Sequence, residues 1–148
     1  VYKRQVMSRQ VPIAEGLFTW PSDNPALLGS RCDSCGIVSF PVAESCMACS
    51  GQAVTIEELP RRGTLWTWTV QRVMPMTPYD SGETPESFQP YGVGYLELPG
   101  GGRVEGRLTE NDPDKLSIGM EMDVVFDTYR TEENGDEVVN FFFRPVAS

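Results

Sequence analysis

"CDSCGIVSFPVAESCMAC" (residues 32–49) holds all four cysteines of the 148-residue chain, as two CxxC pairs with ten residues between them. Two residues between cysteines let a tight turn aim both sulfurs at one point. A second such turn completes a tetrahedron if the link between them can form a short hairpin. The link "GIVSFPVAES" (36–45) suits that role, with "IVSF" as a small strand that Pro41 ends. Gly36 follows the first pair and Gly51 stands just beyond the second, and both can take the positive φ that such knuckles often need. The alternatives are a pair of disulfides or a redox CxxC. A thioredoxin-like redox site needs a helix starting at its first cysteine within a βαβ unit, and neither is visible. Cys32, Cys35, Cys46 and Cys49 are therefore assigned one zinc ion, with iron as the competing metal because tetrahedral thiolates accept both. Four thiolates close the coordination sphere, so the metal is structural and organises a segment too short to fold on its own hydrophobic burial.

The rest of the chain sets limits on function. Twelve Lys and Arg stand against twenty-one Asp and Glu, a net charge of -9, and the acidity concentrates at the C-terminal end. Residues 1–31 carry four basic and two acidic groups, whereas 111–148 carry three basic and nine acidic groups. Nucleic-acid binding draws on a basic face, and the composition does not advertise one. The sequence contains no histidine, which removes the usual general base, the Ser/His and Cys/His pairings and every imidazole ligand. With no free cysteine and a closed metal site, the parts for Claisen or aldol chemistry must lie in a partner. No membrane span and no signal peptide are visible, so a cytoplasmic location is expected. Val1 in place of an initiator methionine leads to the expectation of a domain cut from a longer polypeptide.

Beyond the knuckles the pattern becomes that of strands. "TLWTWTVQRV" (64–73) alternates, with Trp66, Trp68 and Val70 expected on the inner face. "YGVGYLEL" (91–98), "RVEGRL" (103–108), "EMDVVFDTY" (121–129) and "EVVNFFFRPV" (137–146) supply four more strands, with a turn at "PGGG" and a hairpin signal at Asn134-Gly135. Between the third and fourth, "NDPDKLSIG" (111–119) reads as a short helix capped by Asp112, with Pro113 at its first position and Gly119 at its exit. Five strands with one short helix in that place are the layout of an OB-fold barrel. "EGLFTWPSDNPALLGSRC" (15–32) reads as one or two short helices. The expected organisation is mainly β: an N-terminal helical segment (1–31), a rubredoxin-like zinc ribbon (32–53) and a five-stranded OB-fold barrel (54–148). Most aromatic residues, Trp66, Trp68, Phe126 and Phe142 among them, are assigned to the barrel core. Because adjacent strand residues face opposite ways, the run Phe141–Phe143 must place at least one ring outside.

Taken together, "LLGSRCDSCG", "CMACSG", "GTLWTWTV", "PYGVGYLELPGGGRVEGRL" and "LSIGMEMDVVF" resemble the rubredoxin-like zinc-ribbon plus OB-fold family first catalogued as domain of unknown function 35. The resemblance covers nearly the whole chain. It places the family's zinc cysteines on Cys32, Cys35, Cys46 and Cys49, its Pro-Tyr on Pro90 and Tyr91, and its Ile-Gly-Met on Ile118, Gly119 and Met120. Met47 stands where the family usually has proline, at a position that is not a ligand. Members look like non-catalytic accessory subunits that dock on thiolase-fold enzymes and help to shape or share the channel for acyl-coenzyme A. Some are fused behind a hot-dog-fold enoyl-CoA hydratase. There they support a lipid-transfer-protein-like aldolase that removes the last side-chain carbons of a steroid as propionyl-CoA. The resemblance implies such a partner here, with acyl-CoA shared between the two, and neither nucleic acid nor membrane. The alternative reading is a single-stranded nucleic-acid binder of ribbon and OB type, since aromatic faces on an OB sheet can stack bases.

One segment has no place in a minimal barrel. "MPMTPYDSGETPESFQPYG" (74–92) carries four prolines and an unusual share of Met and aromatic residues for a disordered linker. It is expected to hold the partner through Met74, Met76, Tyr79, Phe88 and Tyr91, helped by an outward phenylalanine of the run 141–143, with Phe141 and Phe143 as the candidates. Coenzyme A phosphates, if bound, would call on Arg61, Arg62, Arg72, Arg103 and Arg107. The preferred reading of those arginines is that they only balance neighbouring carboxylates.

Overall fold

The alternating stretches form nine strands in the computed structural model, which describes residues 9–100 and 102–146. Five of them close into a barrel: β5 (Arg62–Gln71), β6 (Tyr91–Leu98), β7 (Gly102–Leu108), β8 (Glu121–Thr131) and β9 (Glu137–Pro145). β5 pairs antiparallel with β6, β6 with β7, and β8 with both β9 and β5. β7 meets β9 in parallel, at Arg107–Leu108 against Phe142–Phe143, and closes the circle. Closure with one parallel seam is the OB arrangement, and it removes the open edges that an unclosed sheet would expose. The single turn of 3-10 helix between β7 and β8, Pro113–Lys115, is capped as expected: the Asp112 side chain accepts from the Asp114 N–H.

The expected N-terminal helices do not form, and no α-helix occurs among the described residues. The part of that segment at 1–8 lies outside them. Pro12, Pro21 and Pro25 lack the N–H that a helix needs, so the backbone turns to neighbouring strands instead. β1 (Gln10–Pro12) runs parallel to β9 at Glu137–Val139, beside the stretch that β7 does not reach, and thereby covers that edge. Beyond it, Thr19 N–H donates to Ala26 O and Leu28 N–H to Leu17 O, which brings the chain into β2 (Leu28–Cys32) as a second sheet begins.

That sheet is the ribbon. β2 is its centre, flanked by β3 (Val38–Ser39) and by β4 (Val54–Glu58). Polar and apolar contacts tie it to the barrel. Arg31 grips Glu57 with two hydrogen bonds (2.8 and 3.0 Å) and donates to Gly100 O in the β6–β7 turn (2.9 Å). The Phe40 ring meets Phe141 edge-on at 5.6 Å. Arg61 donates to Pro25 O and Asn24 O, pinning the entry to β2 against the start of β5.

The core is one cluster that runs from Phe18, Leu27 and Leu59 into the barrel residues Leu65, Leu96, Val104, Met122, Val139 and Phe143. Two expected facings are reversed. Leu65, not Trp66, points inward, because the β5–β6 register shifts between Leu65 and Thr67. Trp66 is the bulged residue, 44% exposed, with Arg103 lying over its ring at 3.9 Å. A bulge changes the face of every residue on one side of it, so strict alternation misassigns the start of the strand. At the other end Phe141 and Phe143 are both buried, and Phe142 is the ring that faces out. The period of two puts 141 and 143 on one side, and Gly106 opposite them makes room: a Cβ there would lie 2.6 Å from the Phe141 ring and 2.9 Å from that of Phe143.

Candidate metal centre and partner-facing loop

The two knuckles repeat one backbone design. Ser34 and Cys35 N–H groups point at Cys32 Sγ (3.4 and 3.5 Å), and Ala48 and Cys49 N–H groups point at Cys46 Sγ (3.3 and 3.5 Å). Each turn is closed by the next residue, Gly36 N–H to Cys32 O and Ser50 N–H to Cys46 O. Those two closing residues share a left-handed backbone, φ 80 at Gly36 and φ 64 at Ser50. Gly51, expected to supply the positive φ in the second knuckle, serves another need: a Cβ there would sit 3.2 Å from Cys49 Sγ and 3.3 Å from Cys32 Sγ. Serine pays a steric cost in the left-handed region that glycine does not. Ser50→Gly should therefore stabilise the metal-loaded ribbon by up to about 1 kcal/mol, read from the urea midpoint with the slope unchanged. A lower midpoint would mean that the Ser50 side chain has a role of its own.

All four sulfurs lie within 4.8 Å of one another, with Cys32 Sγ to Cys49 Sγ at 3.6 Å and Cys35 Sγ to Cys46 Sγ at 3.5 Å. A disulfide needs about 2.05 Å. A tetrahedron with metal–sulfur bonds of about 2.3 Å has edges of about 3.8 Å, so the spacing is that of a metal site. The Cys35 and Ser34 N–H groups pull the Cys32 thiol down to about 6 against the effect of burial. The Cys49 and Ala48 N–H groups lower Cys46 in the same way. Their neighbours move up. The Ile37 N–H draws Cys35 down, but Cys46, burial and the other sulfurs outweigh it and push that thiol up to about 12. Cys49 is raised likewise, the Gly51 N–H opposing and Cys32 prevailing. Four thiolates this close repel one another, and a dication makes the set stable in the ionised form. The four cysteines form the site of one structural zinc.

The long loop is folded back on the barrel. Tyr79, Phe88 and Tyr91 form an aromatic cluster with ring separations of 6.0 to 6.4 Å. Glu83 accepts from Ser81 Oγ (2.7 Å), the Tyr79 hydroxyl (3.3 Å) and the Gln89 N–H (2.9 Å). Arg130 reaches across from β8 to Asp80 O (3.0 Å). Three of the five loop residues expected at the partner surface are thus half-buried within the chain, and Met74 is half-buried as well. Met76, 88% exposed, projects into solvent. Phe141 and Phe143 belong to the core and present no surface.

The five arginines do not converge. Arg61 ties Asn24 and Pro25 and meets Glu58, Arg62 pairs with Asp123 (2.7 Å), and Arg103 pairs with Glu97 (3.2 Å). Arg72 is exposed beside the loop. Arg107 alone of the five sits at the aromatic cluster. Its guanidinium lies 3.6 Å from the Tyr91 ring centroid and donates to the hydroxyls of Tyr79 (3.3 Å) and Tyr129 (3.1 Å). Tyr129 was not legible as part of any site. It is the bulged residue of β8, where the register against β9 shifts between Thr128 and Arg130.

Comparison with known proteins agrees with this architecture. Residues 23–55 match the family model of the ChsH2 rubredoxin-like zinc ribbon domain, and residues 57–127 that of the ChsH2 C-terminal OB-fold domain. A DUF35 domain-containing scaffold protein of Methanocaldococcus jannaschii is 32% identical, over 81% of this chain and 82% of its own. One of Methanothermobacter thermautotrophicus is 34% identical, over 80% and 84%. The benzoylsuccinyl-CoA thiolase subunit BbsA of Thauera aromatica is 28% identical, over 85% and 82%. A solved chain of an Ltp2-ChsH2(DUF35) aldolase shares the fold, with TM-score 0.60 and 23% identity over 82% of this chain and 86% of that one. On its paired knuckles, its closed barrel and these relatives, the chain belongs to the DUF35 family of zinc-ribbon and OB-fold scaffold proteins.

Proposed function

We propose that the chain is a non-catalytic subunit that docks on a thiolase-fold acyl-CoA enzyme and supports its activity. The observation that carries this reading is the similarity, over four-fifths of both chains, to two scaffold proteins and to a thiolase subunit. The chemistry of the chain points the same way. Its cysteines are committed to a closed tetrahedral site, and it has no histidine to serve as a base. We extend the reading to an aldolase partner that cleaves a steroid side chain by retro-aldol reaction and releases propionyl-CoA, in a cytoplasmic complex. The ChsH2 family models and the structural likeness to a chain of an Ltp2-ChsH2(DUF35) aldolase support that direction. In this reading acyl-CoA is shared with the partner. The nucleic-acid alternative is weakened by the net charge of -9 and because six of the ten Lys and Arg among the described residues, Arg9, Arg31, Arg61, Arg62, Arg103 and Arg130, carry carboxylate partners.

Reconstitution tests the proposal. The purified chain alone should turn over no acyl-CoA, while a thiolase-fold partner expressed without it should lose at least about tenfold in activity or about 1.4 kcal/mol in stability. Turnover by the isolated chain, or a fully active and stable partner lacking it, would refute the reading.

A further inference from the structure

Arg107 differs from the other arginines of the barrel in what surrounds it. Among the described residues no carboxylate oxygen comes within 4 Å of its guanidinium. Its two hydrogen bonds both leave from Nη1, to the Tyr79 and Tyr129 hydroxyls. A guanidinium has five N–H donors in a planar fork, and among the described residues neither Nε nor Nη2 of Arg107 makes a protein hydrogen bond. The group is half-buried, with one face covered by Tyr91 at 3.6 Å and Tyr129 at 5.0 Å. The Glu83 carboxylate feels the Arg107 charge from beyond the Tyr79 hydroxyl without touching the guanidinium, and stacked rings cover the guanidinium face.

The place of Arg107 in the fold adds an independent observation. It lies on the outer face of the second and third barrel strands, between the β5–β6 loop and the end of β8, which is where OB folds take their ligands. A cavity of about 340 Å³ opens there, lined by Tyr79, Tyr91, Arg107, Tyr129, Glu105 and Asn140, with Val93 and Ile13 beside them. Tyr129 reaches it only because of the β8 bulge, a distortion that re-aims one side chain at the expense of ladder hydrogen bonds. Burial keeps the Tyr129 phenol protonated, its pKa pushed up to about 12, so its hydroxyl remains able to donate.

We infer that Arg107, with Tyr79 and Tyr129, forms a binding site for a single oxyanion head, a carboxylate or a phosphate group of a small ligand. The free Nε–H and Nη2–H pair supplies a fork that matches two oxygens of one anion, and the Tyr129 hydroxyl supplies a further donor. Glu105, two residues along β7 on the same face, also lines the cavity and disfavours heads of high negative charge. The inference deepens the acyl-CoA reading, for which Arg107 is one of the arginines expected at a phosphate, and its test needs only this chain.

The test uses the intact zinc-loaded chain at constant ionic strength, titrated with inorganic phosphate and separately with acetate. The readout is the Nε–H resonance of Arg107, assigned by its loss in Arg107→Lys. A saturable shift at Arg107, and none at Arg103, is expected. Response to phosphate only would identify a phosphoryl head, and response to acetate only a carboxylate. Tyr129→Phe removes one hydroxyl, leaves the loop contacts of Tyr79 in place and should weaken binding at least about threefold. Arg107→Lys keeps the charge without the fork and should weaken binding at least about tenfold, followed on the Tyr129 ring signals, with zinc content unchanged. If Arg107→Lys loses its zinc or its fold, Tyr129→Phe decides. A shift that is linear and equal at Arg103 and Arg107, or affinity unchanged in Tyr129→Phe and Arg107→Lys, would overturn the site.

Discussion

Cys46→Ser should unfold the ribbon while the barrel keeps most of its stability. Between Ser30 and Glu58 the buried residues are Ser30, Cys32, Ser39 and Cys46, with no fully buried Leu, Ile, Val or Phe among them. That interior cannot offset the conformational entropy of ordering the segment, so the metal must do so. Structural zinc in small thiolate sites binds with on the order of 10–16 kcal/mol at neutral pH. Losing one of four ligands removes several kcal/mol of that, which is more than the ribbon can spare. The barrel has its own core around Leu65, Leu96, Val104, Met122 and Phe143 and does not depend on the metal in this way. Hydrogen exchange is the measurement. Amides of β2, β3 and β4 should lose protection in Cys46→Ser, while those of β6, β7 and β9 stay slow. Equal loss of protection in both sheets would mean that ribbon and barrel fold as one unit through Phe40, Arg31 and Glu57.

The second large effect separates neighbours in sequence. Phe143→Ala should cost about 3–5 kcal/mol, because the ring is fully buried and packs on Gly106, whose missing side chain leaves nothing to collapse into the gap. Phe142→Ser, one residue away and facing out, should cost about 1 kcal/mol or less. Urea denaturation with an unchanged slope gives both values. Comparable losses at the two positions would contradict the register of β9 against β7 and β8.

These two predictions also mark how far the sequence could be read. The knuckles were legible because metal ligation constrains both residue type and spacing, and the CxxC pairs at 32–35 and 46–49 leave little freedom. The barrel was legible because β7 alternates cleanly, β6, β8 and β9 are rich in strand-forming residues, and glycine or proline stands near most of their ends. What escaped depends on tertiary contact. Trp66 and Tyr129 sit on bulges, and a bulge is set by what the partner strand can accommodate, not by local pattern. The run 141–143 fixed that one ring must face out but not which, since either register satisfies alternation. The choice rests with Gly106, a residue more than thirty positions away. The N-terminal segment was read as helical, yet its prolines left its N–H and C=O groups to pair with β9 and β2. β4 was not named among the expected strands, and its residues 54–58 pair with β2 in the ribbon sheet. The aromatic loop was recognised as unusual, but the contacts of its rings with Arg107 and of Tyr79 with Glu83 depend on residues distant in sequence and could not be read from it.

The most direct measurement of the central claim is the mass in solution of this chain mixed with a thiolase-fold acyl-CoA enzyme from the same genome, by size-exclusion chromatography with light scattering. A docking subunit of this family should co-elute with that partner at a fixed stoichiometry and lose the complex when zinc is stripped from the ribbon. Separate elution of the two folded, zinc-loaded proteins at micromolar concentration would contradict the account.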